Sequence, residues 1–296
     1  MNVMVTSDGS WRSLQAVPHA ARLADATGGE LVIARVLDPA EDCRAEGEEV
    51  SPEAAERLAS RWRTDMERTL SGFHFRGRAA VGMRLDREEI TQTVLRMAAE
   101  EGADALAMSS RGAGMLRHAF LGSVALDILA HSELPVLVAG DRIAYPDERA
   151  EYHLLIATDG SPDSLHAVRL AASIARTPGV RVTLVRVYAP TLGDRGVEAE
   201  TAAARDDLEA LCRSFPDPGA VQCLVPSVVV LGGIDTAILN VAHQVGANAI
   251  ALSTHGHSAR YHVFAGSTAL AMLKRSPLPI MLVGTNPNRG TTTLQD

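Results

Sequence analysis

The chain has 296 residues, 46% of them hydrophobic, and a formal net charge of −8. That length and apolar content supply two cores of about 140 residues each, while the acidic balance and scattered arginines leave no basic stripe for a nucleic-acid backbone, so no nucleic-acid partner is expected. Three cysteines (Cys43, Cys212, Cys223) without CxxC or metal-type spacing point to a reducing cytoplasm rather than a disulfide framework, and no leader-like start or unbroken apolar span suggests export or a membrane.

Short apolar runs alternate with amphipathic helical patterns, the signature of βα units that build a parallel sheet. Strands are predicted at residues 2–6, 31–36, 78–83, 104–109 and 134–139, and again at 153–157, 181–187, 224–230, 248–252 and 279–283. Asp8-Gly9-Ser10 after the first strand supplies a turn and a cap, and Trp11 is expected in the helix that follows. The acidic, weakly patterned stretch 38–49 reads as an exposed loop. Ser51-Pro52 sets a cap before a proline at the first helical position, Trp62 belongs to helix packing, and Asp86 with Glu89 has capping-box spacing. Residues 1–140 are read as one domain, 141–151 as an acidic linker with Pro146, 152–284 as a second domain and 285–296 as a frayed tail.

The second domain repeats the first. NVMVTSDGSWRSLQAVPHAARLA lies beside HLLIATDGSPDSLHAVRLAASIA, GADALAMSSRG beside GANAIALSTHG, and FLGSVALDILAHSELPVLVAG beside FAGSTALAMLKRSPLPIMLVG, with a short length difference in the middle of the unit. The fold class is therefore α/β, two tandem doubly wound domains, each a five-stranded parallel sheet flanked by helices.

In such a sheet a ligand sits beyond the carboxyl ends of the strands where strand order reverses. If the first and fourth strands flank that reversal, Asp8 meets the loop Ser109-Ser110-Arg111-Gly112, and Asp159 meets Ser253-Thr254-His255-Gly256. Nine residues after each loop comes Gly122-Ser123 or Gly266-Ser267, immediately before an amphipathic helix. Glycine lets backbone N–H groups approach an anion, the helix start is partially positive and the hydroxyl adds a donor, so the arrangement suits a phosphate. Taken singly, a Gly-Ser before a helix is an ordinary cap and an Asp after a strand an ordinary turn residue; the duplication is what favours a shared binding geometry. Lys274 is the sole lysine, so phosphate charge falls to backbone amides, hydroxyls, arginine, histidine and a metal ion arriving with the nucleotide.

These residues resemble the universal stress protein family, whose nucleotide-binding members carry Gly-x2-Gly-x9-Gly-(Ser/Thr), an Asp after the first strand and Leu-Pro-Val before the last. The resemblance runs from Val3 to Gly140 and from Leu154 to Gly284. It implies an adenine nucleotide α-hydrolase-like fold with strand order 3-2-1-4-5 and an ATP site, with Mg²⁺ accompanying the nucleotide. Asp8 and Asp159 would reach ribose or adenine; Thr6 and Val36, with Ala157 and Val187, would line the adenine slots. The two phosphate loops, with Gly122-Ser123-Val124 and Gly266-Ser267-Thr268, would hold ribose and phosphates. It further implies that the last strand of one domain pairs with that of the other inside the chain, leaving room for a further homodimer.

Two departures stand out. Ser109 and Ser253 replace the first motif glycine, which predicts weakened or selective ATP binding if that position needs φ > 0 or close approach. His118 and His262 occupy matched positions in the spacer, either as phosphate contacts that strengthen on protonation or as loop histidines without a ligand. Arg111 and His255 could contribute side chain or backbone alone. Arg35 and Arg186 precede the slot valines and, by alternation, face away from them, so they read as structural. The resemblance implies an ATP-binding regulatory or stress-response protein. The alternatives are a nucleotide-free pseudo-dimer working through protein contacts, or a slow ATP hydrolase; no SGGxDS loop or catalytic triad points to a dedicated enzyme.

Overall fold

The computed structural model describes residues 1–72, 75–110, 121–140, 143, 146, 151–187, 197–213, 215, 221–224, 233–254 and 266–284, with backbone only for 197–201. Its strands are β1 (Val3–Thr6), β2 (Leu31–Leu37), β3 (Gly77–Met83), β4 (Ala105–Ser109), β5 (Val136–Ala139), β6 (Tyr152–Ala157), β7 (Val180–Val185), β8 (Val221–Leu224), β9 (Ala249–Ser253) and β10 (Ile280–Val283). Between them lie α1 (Val17–Ala26), α2 (Pro39–Ala45), α3 (Pro52–Ser71), α4 (Ile90–Glu100), α5 (Ser123–His131), α6 (Leu165–Ile174), α7 (Val197–Arg213), α8 (Ile234–Val245) and α9 (Ser267–Arg275). A 3-10 turn, Ser13–Ala16, leads into α1.

The ten strands form one sheet in the order β3-β2-β1-β4-β5-β10-β9-β6-β7-β8. Each half thus runs 3-2-1-4-5 in its own numbering, with every neighbour parallel except β5 and β10. Those two pair antiparallel, Leu137 opposite Met281, and join the halves. The central strands are apolar on both faces because helices cover both. Val3, Val5, Leu154 and Ile156 point to the face packed by α1 and α6, while Met4, Leu106, Leu155 and Ile250 point to the opposite one. Each of these two cores contains side chains from both halves, so the apolar layers run across the junction without a break.

Several expectations need correction. Stretch 38–49 is not simply a loop: Asp38 accepts from the amides of Ala40 and Glu41, Pro39 takes the first helical position, and α2 follows with Cys43 fully buried against α3. The capping box lies at Glu89 and Gln92, one turn later than Asp86 and Glu89. Trp11 sits in a turn, 68% exposed, rather than in a helix. Strand β8 covers Val221–Leu224, only touching the start of the predicted 224–230; residues 225–230 lie outside the described residues. Cys212 at the end of α7 and Cys223 on β8 lie side by side, their Cα atoms 6.6 Å apart. Cys43 is buried in the first half. Predicted segments 141–151 and 285–296 fall largely or wholly outside the described residues. Among the described residues no helix is long and apolar enough to cross a membrane.

His19 on α1 is buried beside the junction, and desolvation lowers its pKa to about 4. Its folded pKa lies below its unfolded value, so the unfolded chain takes up the proton first. Stability is therefore full above about pH 6.5 and falls as pH drops towards 4, by at most about 3 kcal/mol. Urea midpoints at pH 7 and pH 4.5 should show that fall. In His19→Leu, which installs the residue found at the matched position Leu170, this contribution should vanish.

Candidate functional site

The loop after β1 is a hydroxyl-tied turn built the same way in both halves. Ser10 donates its amide to Asp8 Oδ1 at 2.9 Å, Gly9 donates to Ser7 Oγ at 3.0 Å, and the Ser7 and Ser13 hydroxyls share a 2.8 Å bond. In the second half Ser161 donates to Asp159 Oδ1 at 2.9 Å, Gly160 to Thr158 Oγ1 at 3.1 Å, and Thr158 and Ser164 pair at 2.7 Å. The Asx geometry turns each aspartate at the carboxyl edge of the sheet, next to the point where strand order reverses between β1 and β4 or β6 and β9.

Across the reversal, α5 and α9 begin on Gly122 and Gly266, and neither helix start has a side-chain cap. Asp38 and Ser51 cap α2 and α3 and Glu89 forms the box on α4, whereas α1, α6 and α8, the last also starting on a glycine, share the absence of a side-chain cap. The first amides of α5 and α9 therefore carry the helix-start partial charge, with no side-chain cap among the described residues. Gly266 itself donates to Thr254 O at 2.6 Å, so the helix-start amides without an intrahelical acceptor begin at Ser267 and Thr268.

In the first half these elements enclose a cavity of about 610 Å³, a size typical of small-molecule sites. Thr6, Asp8, Val36, Ser109, Ser110, Gly122, Ser123 and Val124 all line it. Its lining is apolar at Val36, Ile90, Val94, Met97 and Met108, hydroxyl-bearing at Ser109, Ser110 and Ser123 on the β4 side of β1, and charged at Arg35, Glu41 and Asp42 on the β2 side, with Asp8 following β1 between them. Burial lowers the Arg35 pKa, opposed by the charges of Asp42, Asp8 and Glu46, and burial raises that of Asp42. Asp38 is paired with Arg84 at 2.6 Å. The acidic side repels an anion and the α5 side attracts one, so the cavity has a built-in polarity.

In the second half Ala157 and Val187 pack on the same sheet face as Val36, and Asp159, Ser253, Thr254, Gly266, Ser267 and Thr268 occupy the matched positions. Arg111, Gly112, His118, His255, Gly256 and His262 lie outside the described residues.

Ser109 and Ser253 are a separate matter. Among the described residues the sole non-glycine with positive φ is Arg87, so neither serine pays for a left-handed backbone. Ser109 Oγ accepts from the Ala16 amide at 3.1 Å and donates to Ser13 O at 3.0 Å, tying β4 to the entry of α1. Ser253 Oγ accepts from the Ala167 amide at 3.3 Å at the equivalent place. These hydroxyls serve the helix entry. Ser109→Gly should lower stability by about 1 kcal/mol in a denaturant melt without strengthening nucleotide binding by calorimetry.

The sequence reading missed Ile90, Val94, Met97 and Met108, which look like ordinary core positions in the chain. It also set Arg35 aside: alternation does turn it away from the slot, but its side chain still reaches the cavity. The duplicated arginine was the available signal.

A family model described as the universal stress protein family matches residues 1–140 and 152–284. No curated protein matches the chain. Among solved structures, a universal stress protein from Archaeoglobus fulgidus is similar over 96% of this chain and 98% of that one, at 16% identity and a TM-score of 0.62. A functionally unknown protein from Pseudomonas aeruginosa matches over 96% and 92%, at 17% identity and a TM-score of 0.58. Both are similar in fold along the whole tandem.

Proposed function

Because this chain belongs to the universal stress protein family, we propose that each half binds an adenine nucleotide, ATP with its Mg²⁺, at its switch-point crevice, and that occupancy serves a regulatory, stress-response role rather than dedicated catalysis. The observation that carries this reading is the pair of glycine-started, uncapped helices, α5 and α9, set opposite matched Asp8 and Asp159 turns. Phosphates would lie on the amides at Ser123-Val124 and Ser267-Thr268, with the loops Ser109–Gly112 and Ser253–Gly256 beside them. Adenine would occupy the apolar wall at Val36, and at Ala157 and Val187 in the second half. Asp8 and Asp159 would meet ribose or base, whose hydroxyls and amines a carboxylate can accept from.

The residues fit the group in one further respect. Glu41 and Asp42 line the cavity on the β2 side of β1 and α5 lies on the β4 side, which favours a triphosphate with its phosphates towards α5. Mg²⁺ would lower phosphate charge in a chain whose phosphate end offers no lysine. Against the nucleotide-free alternative, which leaned on the serine replacements, neither serine needs a left-handed backbone and both hydroxyls are engaged at helix entries.

Calorimetry of the full chain with ATP and Mg²⁺, together with mass spectrometry of any co-purifying adenine nucleotide, tests the reading. Two bound equivalents are expected, with Asp8→Ala and Asp159→Ala each weakening one. No heat and no co-purifying nucleotide would end it, and rapid turnover would replace it with an enzymatic role.

A further inference from the structure

We propose that Arg35 and Arg186 are positioning residues: each guanidinium seats against the glycine of the turn after the first strand of its half and fixes the loop carrying Asp8 or Asp159. Nucleotide binding by these loops rests on the reading above, but the seating itself is tested without a ligand.

The geometry is duplicated. Gly9 has φ +83° and Gly160 φ +80°. A Cβ added at Gly9 would lie 2.5 Å from Arg35 Nη1, and one at Gly160 would lie 2.9 Å from Arg186 Cζ. Each glycine therefore meets two demands at once: a backbone conformation closed to most side chains, and room for a flat cation against its Cα. The same amide of each glycine donates to Ser7 or Thr158, so the arginine rests on the turn from which the aspartate projects.

What holds the arginine from its other side differs between the halves. Arg35 Cζ lies 3.2 Å from the centroid of the Trp62 ring on α3. Arg186 Nη1 instead donates to Asp207 Oδ2 at 3.0 Å, from the matched helix α7, and that carboxylate is 69% exposed. A stack on an aromatic face needs a planar guanidinium; an ion pair needs only a positive charge and is screened by salt. The first loop is thus held by a contact specific to arginine, with the charges of Asp42, Asp8 and Glu46 around it, and the second by an exposed ion pair that any cation could make.

Hydrogen exchange of the full, nucleotide-free chain reads this directly. Arg35→Ala should speed exchange of residues 7–13 about tenfold and leave 158–164 unchanged, with Arg186→Ala doing the reverse. Arg186→Lys should restore the second loop, whereas Arg35→Lys should not restore the first. Raising NaCl from about 50 to about 500 mM should speed exchange about threefold in 158–164 and by less in 7–13, and Asp207→Asn, on an exposed carboxylate, should abolish the response in 158–164. Trp62→Leu should reproduce Arg35→Ala. Unchanged exchange in 7–13 for Arg35→Ala and Trp62→Leu, or equal rescue by lysine in both halves, overturns the proposal. In calorimetry each alanine variant should weaken one nucleotide site by a similar factor. A wild-type chain that binds no adenine nucleotide would sink the function reading, while the exchange rates would still decide the seating.

Discussion

Gly266→Ala should leave the fold intact and strip nucleotide from the second half. Gly266 has φ −63°, a value open to any residue, and among the described residues an added Cβ would meet only Thr254 O, at an ordinary 3.7 Å. Among the described residues nothing in backbone conformation or local packing calls for glycine there, and we assign its value to what it lets approach the amides of Ser267 and Thr268. Losing charge-assisted hydrogen bonds to a phosphate costs about 1.5–3 kcal/mol, or about ten- to a hundredfold in affinity. Calorimetric stoichiometry should fall from two to one while the melting temperature stays within about 1 °C. An unaltered stoichiometry with unaltered affinity would falsify the placement of phosphate at α9.

Leu137→Ala should destabilise both halves together. Leu137 is fully buried on β5, opposite Met281 of β10, in the core that also contains Val3, Ala107, Leu154 and Ile156. Truncation opens a cavity at the one place where the halves share a ladder, and a buried leucine lost this way costs about 2–5 kcal/mol. Because that core is continuous across β5 and β10, unfolding in denaturant should remain a single transition shifted as a whole. Two separated transitions, with only the first moved, would show that the halves fold independently of the junction.

Much of the architecture was readable before the structure because the chain states it twice. Nine of the ten strands fall close to their predicted ranges, since parallel strands buried on both faces appear as short uniform apolar runs. Helix α2 was illegible for the opposite reason: its acidic surface hides a single buried anchor, Cys43, and its start depends on the Asp38 cap rather than on apolar periodicity. The candidate site divides along the same line. Positions defined by backbone chemistry, Asp8, Gly122, Asp159 and Gly266, could be located by motif and duplication. Those defined by packing could not: Met97 and Val94 look like core, and Ser109 looks like a damaged glycine position until its bonds to Ala16 and Ser13 are seen. Arg35 was visible as a repeated residue, but its meaning required the Trp62 ring, which sits in a helix with no sequence tie to it.

The antiparallel join of β5 to β10 has an evolutionary consequence. Two identical subunits related by such a join share one gene, so any change to a site is imposed on both sites at once. Written as a single chain, the same symmetric arrangement can be edited on one side only. Trp62 beneath one arginine and Asp207 beneath the other are such an edit, made without disturbing the sheet that both sides share. The molecule has the geometry of a pair and the genetic freedom of two separate proteins.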